Sequence, residues 1–141
     1  MGMKKKTKIK TPTREQLVKQ CDVLWSKCVR ARHRTCRICG SDYRLQAHHV
    51  RSRTHSSTRY DLENGMALCS RCHIIQKFNP EKFQDSVIEV IGQAEYDRLK
   101  KKSLYPWKYD VGMLQDIKLD LQVGLKHDLA DYGKIAEDCG L

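Results

Sequence analysis

Two Cys-x-x-Cys pairs bracket a group of nitrogen bases. Cys36–Arg37–Ile38–Cys39 comes first and Cys69–Ser70–Arg71–Cys72 second, with His48–His49 and Asn64 between them and His73 directly after the last cysteine. A structural zinc ion takes four soft ligands in a tetrahedron, and two Cys-x-x-Cys turns supply two thiolates each. Cys36, Cys39, Cys69 and Cys72 are therefore the candidate zinc ligands, and Gly40 suits the tight turn after Cys39. The interval between the pairs is longer than in a common zinc ribbon, as an inserted hairpin carrying a site would make it. A redox dithiol is the other use of Cys-x-x-Cys, but no thioredoxin-like strand–helix context surrounds either pair. The histidines are left over for chemistry. Adjacent residues on a strand point to opposite sides, so one of His48 and His49 can ligate a metal while the other faces an attacking water.

Such a site needs elements to hold it. Arg44 to His48 reads as a strand leading into the histidine pair, and Met66–Ala67–Leu68 as a second short strand. Between them, residues 51–64 are polar and irregular, in the manner of a functional loop. Ser70 to about Phe78 reads as a helix stopped by Asn79–Pro80, and Pro80 fits the first turn of another that ends at Gly92. Phe83, Val87, Ile88 and Ile91 mark that helix's apolar face. Gln93 to Lys102 is a further short helix with Tyr96 and Leu99 inward and a basic end suited to the helix dipole. Upstream, Thr13 and Gln16 form a capping box for a helix whose stripe is Leu17, Cys21, Leu24, Trp25, Cys28 and Val29. Cys21 and Cys28 are small core residues in this reading, not ligands. Ser103 to Gly112 is a linker. A last helix runs from about Met113 to Glu137 with Leu114, Ile117, Leu121, Leu125, Leu129 and Tyr132 along one side. His33 and His127 read as ordinary surface residues.

The bulk properties bound the partners. The 141 residues carry a formal net charge of +10, with 40% apolar residues and seven cysteines. A chain so basic reads as a polyanion binder, most often of nucleic acid; the plainer alternative is that excess lysine keeps it soluble. A modest core gains from a metal staple. The odd number of cysteines argues against a full disulfide framework, and no signal peptide or membrane-spanning run is present. The expectation is a cytoplasmic protein, in a reducing compartment where paired cysteines favour metal.

His48–His49–Val50, followed by Asn64–Gly65–x–x–Leu68–Cys69–x–x–Cys72–His73, resembles the HNH endonucleases, the His-Me finger or ββα-metal family. The resemblance covers about residues 35–79. Wider stretches, Cys21–Asp22–x–Leu24–Trp25 and Thr58 through Gly65, look like small phage and prophage proteins of this kind, some acting in recombination and others accompanying DNA packaging. The resemblance implies an α+β fold: a ββα-metal core with one structural zinc, flanked by N- and C-terminal helices. In domain terms, 1–13 is a disordered basic arm, 14–103 an HNH nuclease domain with flanking helices, and 104–141 a linker and C-terminal helix. It further implies His48 and His73 as ligands of a catalytic divalent cation such as Mg²⁺ or Mn²⁺, His49 as general base, and Asn64 as the residue that ties the loop so that His49 keeps its orientation. Some members carry a further histidine one turn after His73. Lys77 stands there in this chain, leaving fewer protein ligands and an open metal preference. His55 is an alternative ligand or base, or a loop or DNA-contact residue.

Arg51, Arg53 and Arg59 in the loop and Arg71 on the helix are candidate DNA-backbone contacts; Arg59 can equally pair with Asp61 or Glu63 and fix the loop. The reading is a metal-dependent DNA endonuclease, probed against three rivals. These are a non-catalytic zinc-dependent DNA-binding protein, a nuclease of branched junctions, and an assembly accessory whose C-terminal helix docks a packaging or recombination partner. The stripe on such a helix more often just packs on the domain or makes a homodimer.

Overall fold

The computed structural model describes residue 2 and residues 7–138, with side chains through residue 129. Part of the basic arm, residues 1 and 3–6, lies outside the described residues, and residues 7–13 form neither helix nor strand. Helix α1 spans Arg14–His33, and its capping box is formed as the sequence predicts, with Thr13 and Gln16 each bonding the other's backbone. Strand β1 is Gln46–His49 and β2 is Gly65–Leu68. Three helices follow, α2 (Ser70–Phe78), α3 (Pro80–Ile91) and α4 (Gln93–Ser103), and α5 is Val111–Asp138. No helix among the described residues is long and apolar enough to cross a membrane.

The strands pair antiparallel, with Gln46 opposite Leu68, Ala47 opposite Ala67, His48 opposite Met66 and His49 opposite Gly65. This register gives the sheet two unlike faces. Ala47, His49, Gly65 and Ala67 share one, and the small side chains of Ala47, Gly65 and Ala67 let α1 lie close. A Cβ built on Gly65 would stand 2.3 Å from Val29 Cγ2 and 3.0 Å from the Trp25 ring. The core on that side joins Leu17, Cys21, Trp25, Cys28 and Val29 of α1 to Ala67 and to Leu114 and Leu121 of α5. Cys21 and Cys28 are buried core residues whose thiols donate to the carbonyls of Leu114 (3.4 Å) and Leu121 (3.2 Å). Leu129, expected on the inward stripe of α5, is exposed; the side chain of Tyr132 lies outside the described residues. On the other face, Met66 and Leu68 pack with the cysteine knuckles and with Phe83, Val87 and Tyr96.

Several boundaries differ from expectation by a residue or two, three of them for clear local reasons. β1 starts at Gln46, not Arg44, because Arg44 holds a left-handed φ of 48° that extended backbone excludes. α4 runs one residue further, to Ser103, whose hydroxyl donates to the Lys100 carbonyl (2.7 Å). α5 begins before Met113 because the Asp110 carboxylate accepts from the Met113 N–H (2.8 Å).

Candidate metal and nuclease site

The four cysteines of the two pairs converge. Their sulfur atoms all lie within 4.8 Å of one another, and no other group of three or more metal-ligating side chains occurs among the described residues. The first knuckle is shaped by local bonds. Gly40 takes a φ of 77°, its N–H reaches the Cys36 carbonyl (2.8 Å), and the Arg37 N–H bonds the Ala67 carbonyl (2.9 Å), fastening the knuckle to β2. Cys69 is also the N-cap of α2, its sulfur accepting from the Cys72 N–H (3.4 Å). Burial raises the Cys36 thiol, but backbone N–H groups of Cys39, Cys69 and Ile38 outweigh it and bring the group down to about 6. Burial and the neighbouring sulfurs push Cys72 up. A quartet crowded this way fits zinc, whose charge relieves the competition among the thiols for their protons.

The histidines divide across the sheet. His48 points to the α2–α3 side, 7% exposed, with its ring edge-on to His73 (centroids 5.3 Å apart) and to Phe83 (5.1 Å). His73, in the first turn of α2, gives its Nδ1 proton to the Gln46 amide oxygen. That contact fixes the tautomer and leaves Nε2 with the lone pair, as a metal ligand needs. Gln46 was legible only as a strand residue, though its place two residues before His48, on the same face, is a signal in hindsight. Burial, then the neighbouring imidazoles, lower His48 to about 4. Burial also lowers His73, with Lys77 adding to it.

His49 turns to the α1 side. Its ring stacks on Trp25, centroids 3.7 Å apart and planes 9° from parallel. Its Nε2 lies 3.0 Å from the Arg59 carbonyl, which can only accept, so Nε2 carries the proton and Nδ1 the lone pair. Burial lowers this imidazole too, partly offset by the Arg59 carbonyl and Asp22. Asn64, fully buried, acts as a false rung of the sheet. Its Oδ1 accepts from the Arg51 N–H (2.7 Å) and its Nδ2 donates to the carbonyls of Arg51 (3.0 Å) and Thr58 (3.1 Å). It thus closes the loop immediately after His49.

The loop arginines have different situations. Arg59 forks onto Asp22 of α1 (2.9 and 2.6 Å), not onto Asp61 or Glu63, which pair instead with Lys102 (2.8 Å) and Arg32 (3.5 Å). Arg51 donates to the Ser103 hydroxyl (3.1 Å), whereas Arg53 and Arg71 are exposed. Arg53 and Arg59 line a cleft of about 440 Å³ with Arg14, Lys19, Glu15 and Asp22. His55 contributes backbone bonds to its turn, to Ser52 and Thr58. His33 is not a plain surface residue. It is half-buried, its Nδ1 accepts from the Ala67 N–H (3.3 Å), and burial lowers its basicity. This contact with β2 is one that side-chain periodicity alone does not reveal.

Set against known families, residues 36–77 match the HNH endonuclease family model. No curated protein and no solved structure matches the chain. The matched segment contains both cysteine pairs, His48, His49, Asn64 and His73, and supports a nuclease-type function in general terms. It excludes α1, α3, α4 and α5.

Proposed function

We propose that the chain is a divalent-cation-dependent DNA endonuclease in which His49 is the general base, His48 and His73 hold the cation, and the cysteine quartet holds a structural zinc. The observation that carries this reading is the split of three neutral imidazoles about one short strand. His48 and His73 meet on one face, and His49 is pinned by its Nε2 on the other. Among the described residues β1 pairs only with β2, so its second edge is unpaired there. A phosphate lying along that edge would have His48 on one side and His49 on the other. When bound, the cation supplies charge at the phosphate and at the leaving oxygen. His49 Nδ1 accepts the proton of the attacking water as the new P–O bond forms. The old P–O bond breaks and its oxygen takes a proton from solvent, giving a phosphate monoester and a hydroxyl. Asn64 keeps the loop, and with it the Arg59 carbonyl, in register with His49. Arg53 and Arg71 offer exposed guanidinium groups to the backbone, and the cleft by Arg14 and Lys19 continues the positive surface.

Nicking of supercoiled plasmid with added Mg²⁺ or Mn²⁺ tests the reading. Wild type should cut and His49→Ala should lose at least about a hundredfold in rate, with linear duplex, four-way junction and single strand compared to define the substrate. DNA retention in a gel shift with no His49-dependent cutting would instead mean a binding protein.

A further inference from the structure

We propose that Asp22 and Trp25, one turn apart on α1, are positioning residues for His49, so that the catalytic geometry is completed by a helix outside the matched motif. The proposal rests on the reading of His49 as base. Three contacts carry it. The indole of Trp25, 2% exposed, lies flat on the imidazole and opposes its rotation about the Cβ–Cγ bond. The same indole donates from Nε1 to the Asp61 carbonyl (3.1 Å), holding the segment that bears the Arg59 carbonyl. Asp22 then clamps Arg59 through two parallel bonds, 2.9 and 2.6 Å, a planar fork that fixes direction as well as distance. One helix turn therefore fixes the ring's plane, while the carbonyl it secures fixes the ring's proton.

Gly65 makes the arrangement possible. It sits opposite His49 in the sheet, and its missing side chain is the space that Val29 and the edge of Trp25 occupy. A mere core tryptophan would need an acceptor for its buried N–H but not the parallel stack on an imidazole. A mere surface ion pair would not bear on the residue whose carbonyl receives the His49 proton.

The experiment uses the full zinc-loaded chain with Mn²⁺ and supercoiled plasmid, comparing wild type, His49→Ala, Asp22→Asn, Asp22→Glu, Trp25→Leu and Trp25→Phe. Zinc content and circular dichroism verify folding. Asp22→Asn and Trp25→Leu should lower kcat by about 10- to 100-fold with KM nearly unchanged, the signature of a misplaced group. Trp25→Phe, which restores a ring face, should recover much of the loss. Independently of activity, the ¹⁵N spectrum of the neutral His49 imidazole should report the Nε2–H tautomer in wild type and a tautomer mixture in Asp22→Asn. An unchanged kcat together with an unchanged tautomer overturns the proposal. So does a lower KM alone in Asp22→Asn, which would make Arg59 a phosphate clamp held in reserve. If wild type and His49→Ala cut equally, the reading of His49 as base fails instead, and the spectrum still decides whether Asp22 orients the ring.

Discussion

His48 is the one buried histidine among the described residues, and it is held neutral by that burial. An unfolded chain binds this proton near the ordinary histidine value of about 6.5, whereas the folded chain holds it off until about 4. Between those values unfolding takes up a proton, so acid favours it. The contribution is complete above the ordinary value and is lost as pH falls toward the folded one. It amounts to roughly 3 to 4 kcal/mol, at about 1.4 kcal/mol per pH unit. In protein carrying zinc but no other divalent cation, the unfolding free energy from urea titration should therefore fall between pH 6.5 and pH 5 more steeply in wild type than in His48→Gln, by up to about 1.4 kcal/mol per pH unit. Equal slopes in the two proteins would mean that the ring is not kept neutral by its surroundings. At this scale the sequence revealed residue types and their order. It did not reveal pairings such as Asp22 with Arg59 or Gln46 with His73, because nothing local marks two polar groups many positions apart as partners.

At the scale of elements, the helices were legible because their signals are local. The capping box at Thr13, the proline opening α3 and the glycine closing it act within a turn of where they stand. What each apolar stripe would pack against was not legible. The stripe of α1 has a helical period whether it meets a sheet, α5 or both, and the structure shows both. The approach of α1 to the sheet depends on a single missing methyl. Gly65 has a φ of −103°, which any residue adopts, so its role is space and not backbone freedom. Gly65→Ala should destabilise the fold by about 1–3 kcal/mol through overpacking. Val29→Ala should recover part of that loss in the double variant, since the added methyl lands on Val29 Cγ2. Additive losses in a denaturation cycle would place the clash elsewhere.

For the whole molecule, two cores share one small sheet, and only one of them contains cysteines of the quartet, Cys36, Cys69 and Cys72. The α1–α5 side is held by leucines, Trp25 and two thiols that burial pushes up and makes poor nucleophiles. In a Cys139→Ser background, a chelator should expose Cys36, Cys39, Cys69 and Cys72 to a thiol reagent well before Cys21 and Cys28. Much of the helical circular dichroism should survive that first phase. Simultaneous reaction of all six would mean that the two cores unfold together. The α+β architecture was legible from the motif's order of strand, loop, strand and helix. The seating of α5 against α1 was one of several uses open to that stripe, since an apolar stripe on a terminal helix packs on its own domain, on a second copy or on a partner by the same contacts.

Cys72 and His73 are consecutive residues in the first turn of α2, and Cys69 caps that turn. One ion would thus build the platform on which the other is received. Zinc would, on the proposed reading, steady the helix turn from which His73 faces His48. On the proposed reading, a cell starved of zinc would hold this nuclease silent however abundant its magnesium, and newly made chains would become able to cut DNA only as they mature.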